Sequence, residues 1–210
     1  MDIAEVAVRC FSDQGWCNCD SSLDALYAFA QIDCNAESSY VKCADEAKAA
    51  GCGLRVCITG EDGSRCRGFC GYEETRKRMV EAGVDESRIE KVPFDSAASI
   101  IHTLNEAENF VRYAKMKGWT RVGVVAPPFH LLRAFVTTIS VAIREYPPLS
   151  VFAVPGTHLS WQESAVHSQG SVSGTRSEIL KGEMERIKKY SEKGDIEEAS
   201  AILQYLDRRQ

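Results

Sequence analysis

Near the middle of the chain, Pro127-Pro128 runs into Phe129-His130-Leu131-Leu132-Arg133, which sets His130 and Arg133 three residues apart. On a helix that spacing puts both side chains on one face of the first turns, where free backbone N–H groups and a guanidinium favour an anion such as phosphate. The same two residues also read as a structural histidine beside a salt-bridge arginine. A second group is Thr59-Gly60-Glu61-Asp62-Gly63-Ser64, whose two glycines and small hydroxyls allow backbone N–H groups to face an anion. It reads equally as a plain turn, and it is neither a P-loop nor a dinucleotide fingerprint. Glu74 opens a charged segment, where a carboxylate can act as general base or metal ligand, or simply favour a helix start. Thr103-Leu104-Asn105-Glu106 has the spacing of a capping box, with Thr103 as cap and Glu106 as its partner. The stretch 161–170 is polar, aromatic-bearing and poorly periodic, as expected of a loop that covers a site, and Arg176 follows it.

Nine cysteines, Cys10, Cys17, Cys19, Cys34, Cys43, Cys52, Cys57, Cys66 and Cys70, all lie in the first third. An odd number cannot pair completely within one chain, so free thiols are the expectation. The close pairs Cys17/Cys19 and Cys66/Cys70 leave zinc binding or redox chemistry open, although neither repeats the Cys-x2-Cys spacing of structural zinc sites.

These residues need elements to position them. Short β-rich runs at 23–30, 54–59, 89–92, 121–126 and 150–154 alternate with helical patterns at 37–50, 73–82, 103–118 and 128–145. Two further helical stretches, 175–191 and 196–207, are hinged at Gly194. Such alternation predicts an α/β fold with a mainly parallel sheet and a helical C-terminal tail. The expected organisation is an N-terminal cysteine-containing segment (1–22), the α/β domain (23–160), and a loop and tail packed on it (161–210). In such sheets ligands bind beyond the carboxyl ends of the strands, which is where the groups above fall.

The chain has 210 residues and a formal net charge of −5. That excludes a general binder of nucleic acid or of anionic membrane surfaces, while leaving room for one local basic pocket. No apolar run reaches the roughly 18 residues of a membrane span, and Met1-Asp2-Ile3-Ala4-Glu5 lacks the start of a secretory signal, so a cytoplasmic protein is expected.

In order along the chain, Thr59-Gly60, Glu74, Gly83-Val84 with Ile89, Thr103, and Phe129-His130-x-x-Arg133-Ala134 resemble the YdcF/SanA/ElyC family, a large bacterial group with a domain of unknown function. The resemblance runs from about residue 24 to 156. It implies a Rossmann-like, doubly wound fold for residues 23–160 and a single pocket surrounded by Glu74, Thr103, His130 and Arg133. Two departures stand out. Ala30-Gln31-Ile32-Asp33 replaces a glycine-rich end to the first strand. Thr103-Leu104-Asn105-Glu106-Ala107 exchanges the acid and amide of the family's Thr-x-Glu-Asn-Ala, which opens the role of Asn105.

Three functions follow as expectations. The first is an enzyme acting on a small anionic, phosphorylated or nucleotide-like substrate. In it Arg133 holds the anion, His130 or Glu74 moves the proton, and Thr59, Gly60, Glu61, Gly63, Ser64, Thr103 and Asn105 line the site. The second is a non-catalytic module that binds a nucleotide or S-adenosylmethionine. The third is a metal or redox protein built on the N-terminal cysteines. A divalent metal is compatible with the first and third.

Overall fold

A computed structural model of the chain describes residues 3–13, 22–51, 53–64, 68–94, 101–167 and 171–209. Five parallel strands form its central sheet: β1 (Ala25–Ala28), β2 (Arg55–Thr59), β3 (Ile89–Val92), β4 (Arg121–Ala126) and β5 (Ser150–Pro155). Their order is β3-β2-β1-β4-β5. This is a doubly wound α/β sheet, and its order reverses direction between β1 and β4.

The strands are short and almost wholly apolar because both faces are covered. Leu26 and Ala28 of β1 face α2 (Asp33–Ala49) and α3 (Tyr72–Ala82), in a core with Tyr40, Met79 and Val154. Ala25 and Tyr27, alternating with them, face α4 (Thr103–Lys117) and α5 (Pro128–Glu145), in a larger core with Phe110, Phe135 and Ile139. Helix α5 starts with Pro128 in its first turn, as its fixed φ favours, and is buried nearly all round. Gly83 and Gly118 end α3 and α4 in the left-handed region, at φ 107° and 71°.

Three features depart from the sequence expectations. The N-terminal segment carries a helix, α1 (Ile3–Phe11), which buries Val6 and Cys10 in the larger core. The stretch read as a covering loop is in part a strand: β6 (Ser164–His167) pairs antiparallel with β7 (Val172–Thr175). The third departure is the start of α4. Its cap is His102, whose Nδ1 accepts from the Asn105 N–H at 3.3 Å, while Asn105 Oδ1 accepts from the His102 N–H at 2.9 Å. The reciprocal box is therefore one residue earlier than Thr103/Glu106, and Asn105 is its partner.

The tail holds α6 (Arg176–Glu192) and α7 (Ala199–Arg208). Thr175 and Glu178 cap α6 reciprocally. Phe129, Ala165 and Ile179 form a satellite core joining α5, the hairpin and α6. Asn35 Nδ2 donates to the Val166 carbonyl at 2.8 Å, and buried Arg176 donates to the Cys34 and Ser160 carbonyls. The hairpin is thereby fastened to the start of α2. No described helix is long and apolar enough to cross a membrane.

Candidate functional site

A cavity of about 340 Å³ lies where the strand order reverses. Ala30, Gln31 and Ile32 enter it from the end of β1, His102, Thr103 and Glu106 from the start of α4, and His130 and Arg133 from α5. The tail closes it with His167 of β6 and with Arg186 and Tyr190 of α6. A smaller cavity of about 250 Å³ adjoins it, sharing His102, Thr103, Arg133 and Tyr190.

Behind its wall, bonded to four of the residues that line it, is Glu183 of α6, whose side chain is 2% exposed. Its Oε2 meets His130 Nδ1 and Arg133 Nε, each at 2.7 Å. Its Oε1 accepts from Arg186 at 2.7 Å, from the second arm of Arg133 at 3.2 Å and meets His167 Nε2 at 3.2 Å. Burial alone would raise the pKa of this carboxyl. The charge of Arg133 and the hydrogen bonds from both imidazoles overcome that, holding Glu183 well below the usual carboxylate range.

An ionised Glu183 dictates the tautomer of His130. An unprotonated Nδ1 would set a lone pair against a carboxylate oxygen at 2.7 Å, so Nδ1 carries the proton and donates it. Burial first, and Arg133 second, push the imidazole's pKa down to about 4, although Glu183 acts in the opposite direction. His130 is therefore neutral near pH 7, with Nε2 as an acceptor that has no hydrogen bond among the described residues. Phe29 and His167 pack against its ring, with centroids 6.2 and 5.2 Å away.

Glu106 behaves in the opposite way. Its Oε1 accepts from the Ala30 N–H at 2.8 Å and from Tyr27 Oη at 3.1 Å, while Oε2 makes no hydrogen bond among the described residues. Burial pushes its pKa up to about 8, and the two donors and Arg133 offset only part of that. Near pH 7 Glu106 thus carries a proton, on the oxygen that no donor occupies. The cap register makes this possible. With His102 and Asn105 occupied by the cap, Thr103 Oγ1 accepts from Arg133 at 2.5 Å and Glu106 turns inward.

The positions expected from sequence divide sharply. Thr103, His130 and Arg133 meet in the cavity. Arg133 directs Nε and one arm to Glu183 and the other arm to Thr103, so it positions Glu183, and Arg186, with 24% of its side chain exposed against 9% for Arg133, is the more open of the two guanidiniums that line the cavity. Asn105 is a helix cap. Thr59 is buried at the end of β2, and the loop after it does not line the cavity. That loop satisfies its own donors: Gly63 N–H donates to Glu61 Oε2 at 2.5 Å, Ser64 N–H to Asp62 Oδ1 at 2.9 Å, and Gly60 N–H to the Val92 carbonyl at 2.7 Å. Glu74 also lies off the cavity, paired with Arg78 at 2.9 Å, and that hydrogen bond lowers its pKa.

Sequence reasoning missed Glu183, Glu106 and Arg186 as site residues, and passed over His167 within a loop. One signal for Glu183 is present: on α6 it shares the buried stripe of Ile179 and Ile187. A carboxylate on an apolar stripe requires a buried partner.

The ligand atoms of His130, His167 and Glu183 lie within 4.8 Å of one another, a donor set that can hold a transition metal. These residues do not fit a cation here. The lone pairs of Glu183 are occupied by Arg133, Arg186 and the two imidazoles, and a divalent ion would sit beside two guanidiniums. Two guanidiniums against one ionised carboxylate leave surplus positive charge, which suits an anion. Of the cysteines, Cys10, Cys34, Cys43, Cys57 and Cys70 are free. Burial raises the Cys10, Cys43 and Cys57 thiols, Cys43 to about 12, which makes them unreactive. The Cys17/Cys19 pair, Cys52 and Cys66 lie outside the described residues.

No protein-family model matches the chain, and no curated protein matches it.

Proposed function

We propose that the chain is a YdcF-like enzyme that performs acid–base chemistry on a small anionic substrate in the cavity between β1 and β4. The observation that carries this reading is the meeting of two differently held buried groups on one cavity, His130 bonded through Nδ1 to Glu183 and Glu106 bonded through Oε1 alone, with burial pushing the first down in pKa and the second up. Groups driven apart in this way form an acid–base pair. His130 Nε2 accepts a proton from the substrate, and the imidazolium formed is stabilised by Glu183 at Nδ1. Glu106 Oε2–H donates a proton to the substrate, and the resulting carboxylate is held by the Ala30 N–H and the Tyr27 hydroxyl. Arg186 binds the anionic group, and the bound negative charge raises the basicity of His130.

The test is a thermal-shift screen with inorganic phosphate, phosphorylated metabolites, nucleotides and S-adenosylmethionine. A ligand at about 100 times its Kd should stabilise the fold by roughly 2.7 kcal/mol. The expected result is an anionic hit that is lost in Arg186→Ala and that wild type converts, as followed by NMR. His130→Gln should bind that hit without converting it. Hits indifferent to Arg186, or turnover that survives His130→Gln, would overturn the proposal. Saturable binding without turnover in wild type would make the chain a binding module instead.

A further inference from the structure

Gln31 follows β1 directly into the cavity, in place of the glycine-rich turn that many sheets of this kind carry there. Its side chain is buried, with the residue 5% exposed, yet Oε1 has no hydrogen-bond partner. A buried carbonyl oxygen without a partner is costly, and native structures rarely keep one without a reason. Beside it, the Ala30 N–H is anchored on Glu106 Oε1, so the free Glu106 Oε2 and the Gln31 carboxamide belong to the same wall. With Glu106 Oε1 taken by two donors and burial raising its pKa, this wall holds one acceptor, Gln31 Oε1, and one donor, Glu106 Oε2–H, both uncharged and both without a partner among the described residues. Arg186 presents the cationic counterpart from α6.

We infer that the ligand of this cavity joins an anionic group to an amide-type edge, an N–H beside a carbonyl or ring nitrogen, and that Gln31 and Glu106 read that edge. The ligand N–H donates to Gln31 Oε1, and Glu106 Oε2–H donates to the neighbouring ligand acceptor. Nucleoside monophosphates and ureido or carboxamide acids share this chemistry, and a cavity of about 340 Å³ is in the range of small-molecule sites. The inference rests on the proposed anion site and specifies what that site discriminates.

Calorimetric titration of the full chain at pH 7 tests it. The probes are uridine 5′-monophosphate and N-carbamoyl-aspartate as edge-bearing anions, with ribose 5-phosphate and succinate as matched anions lacking the edge. At least one edge-bearing probe should bind ten-fold or more tightly than its match, and which of the two does so separates nucleotide from ureido acid. In Gln31→Met, which keeps the length of the side chain, that preference should fall to within two-fold while the affinity for the matched anion stays unchanged. Removing an unpaired buried acceptor should also leave the Tm of the free protein equal or higher, so loss of preference cannot be ascribed to unfolding. Equal binding of edge-bearing and matched anions would overturn this inference and leave the anion site standing, as would equal weakening of both by Gln31→Met. Absence of binding by all four probes would overturn the anion site and this inference together.

Discussion

The carboxyl ends of β2 and of β1/β4 invite the same reading from sequence, since each combines small residues, hydroxyls and acids just beyond a buried strand. The structure resolves them oppositely. After β2, the carboxylates of Glu61 and Asp62 turn back onto the N–H groups of Gly63 and Ser64, and the loop consumes its own donors and acceptors. At β1/β4 the polar groups reach across the fold: Glu106 to Ala30 and Tyr27, and Arg133 and His130 to Glu183. Gln31 and one oxygen of Glu106 remain unsatisfied by protein. Whether a polar strand end satisfies its own groups or leaves some of them open is decided by partners distant in sequence.

The contrast can be broken, and the largest effect should come from its centre. Glu183→Gln leaves Arg133 buried without a countercharge and should cost about 3–5 kcal/mol in urea unfolding, as loss of one partner of a buried pair does. A loss below about 1 kcal/mol would mean the network is not the keystone of the cavity.

The next effect is a pH dependence. Glu106 holds a proton in the fold up to about pH 8 and loses it in the unfolded chain near its ordinary pKa of 4.5. Between these values the folded state binds more protons, so stability falls as pH rises, with a slope of up to about 1.4 kcal/mol per pH unit. Glu106→Gln should remove that slope between about pH 5 and pH 8, measured by unfolding at several pH values. Parallel profiles for variant and wild type would show that Glu106 is ionised in the fold.

At the β2 end, Glu61→Ala removes a buried acceptor and should cost about 1–3 kcal/mol while leaving ligand affinity in the β1/β4 cavity unchanged. Loss of affinity would join the two regions into one site. The smallest effect is expected of Glu74→Gln, whose exposed pair with Arg78 should leave Tm and turnover unaltered. A drop in turnover would restore Glu74 as the candidate proton carrier of the sequence reading.

Much of the architecture was legible because it is local. Strands β2 to β5 and helices α3 to α6 announce themselves by apolar runs, helical spacing, Pro128 and the glycines that end helices. Helix α1 and the β6–β7 hairpin were not legible. Four-residue strands with one inward histidine give too short an alternation, and the amphipathic face of α1 is overshadowed by its cysteine-rich surroundings. His130, Arg133 and Thr103 stood out because a helix start after a strand concentrates them at one place. Glu183 did not, because its partners His130 and Arg133 are 53 and 50 residues away.

The start of α4 marks the boundary between the two kinds of information. Residues 102–106 permit two capping registers by type and spacing alone. The fold selects His102/Asn105, because Arg133 needs the Thr103 hydroxyl and because the Ala30 N–H and the Tyr27 hydroxyl need an acceptor that Glu106 supplies. By itself the sequence determined the α/β class and the positions of most strands and helices of the central sheet, since these follow from periodicity. Tertiary structure alone decided which acid is pushed up in pKa, which is held down and which polar atoms lack a partner among the described residues. Those properties depend on burial and on the charges brought alongside, and both come from residues far apart in the chain.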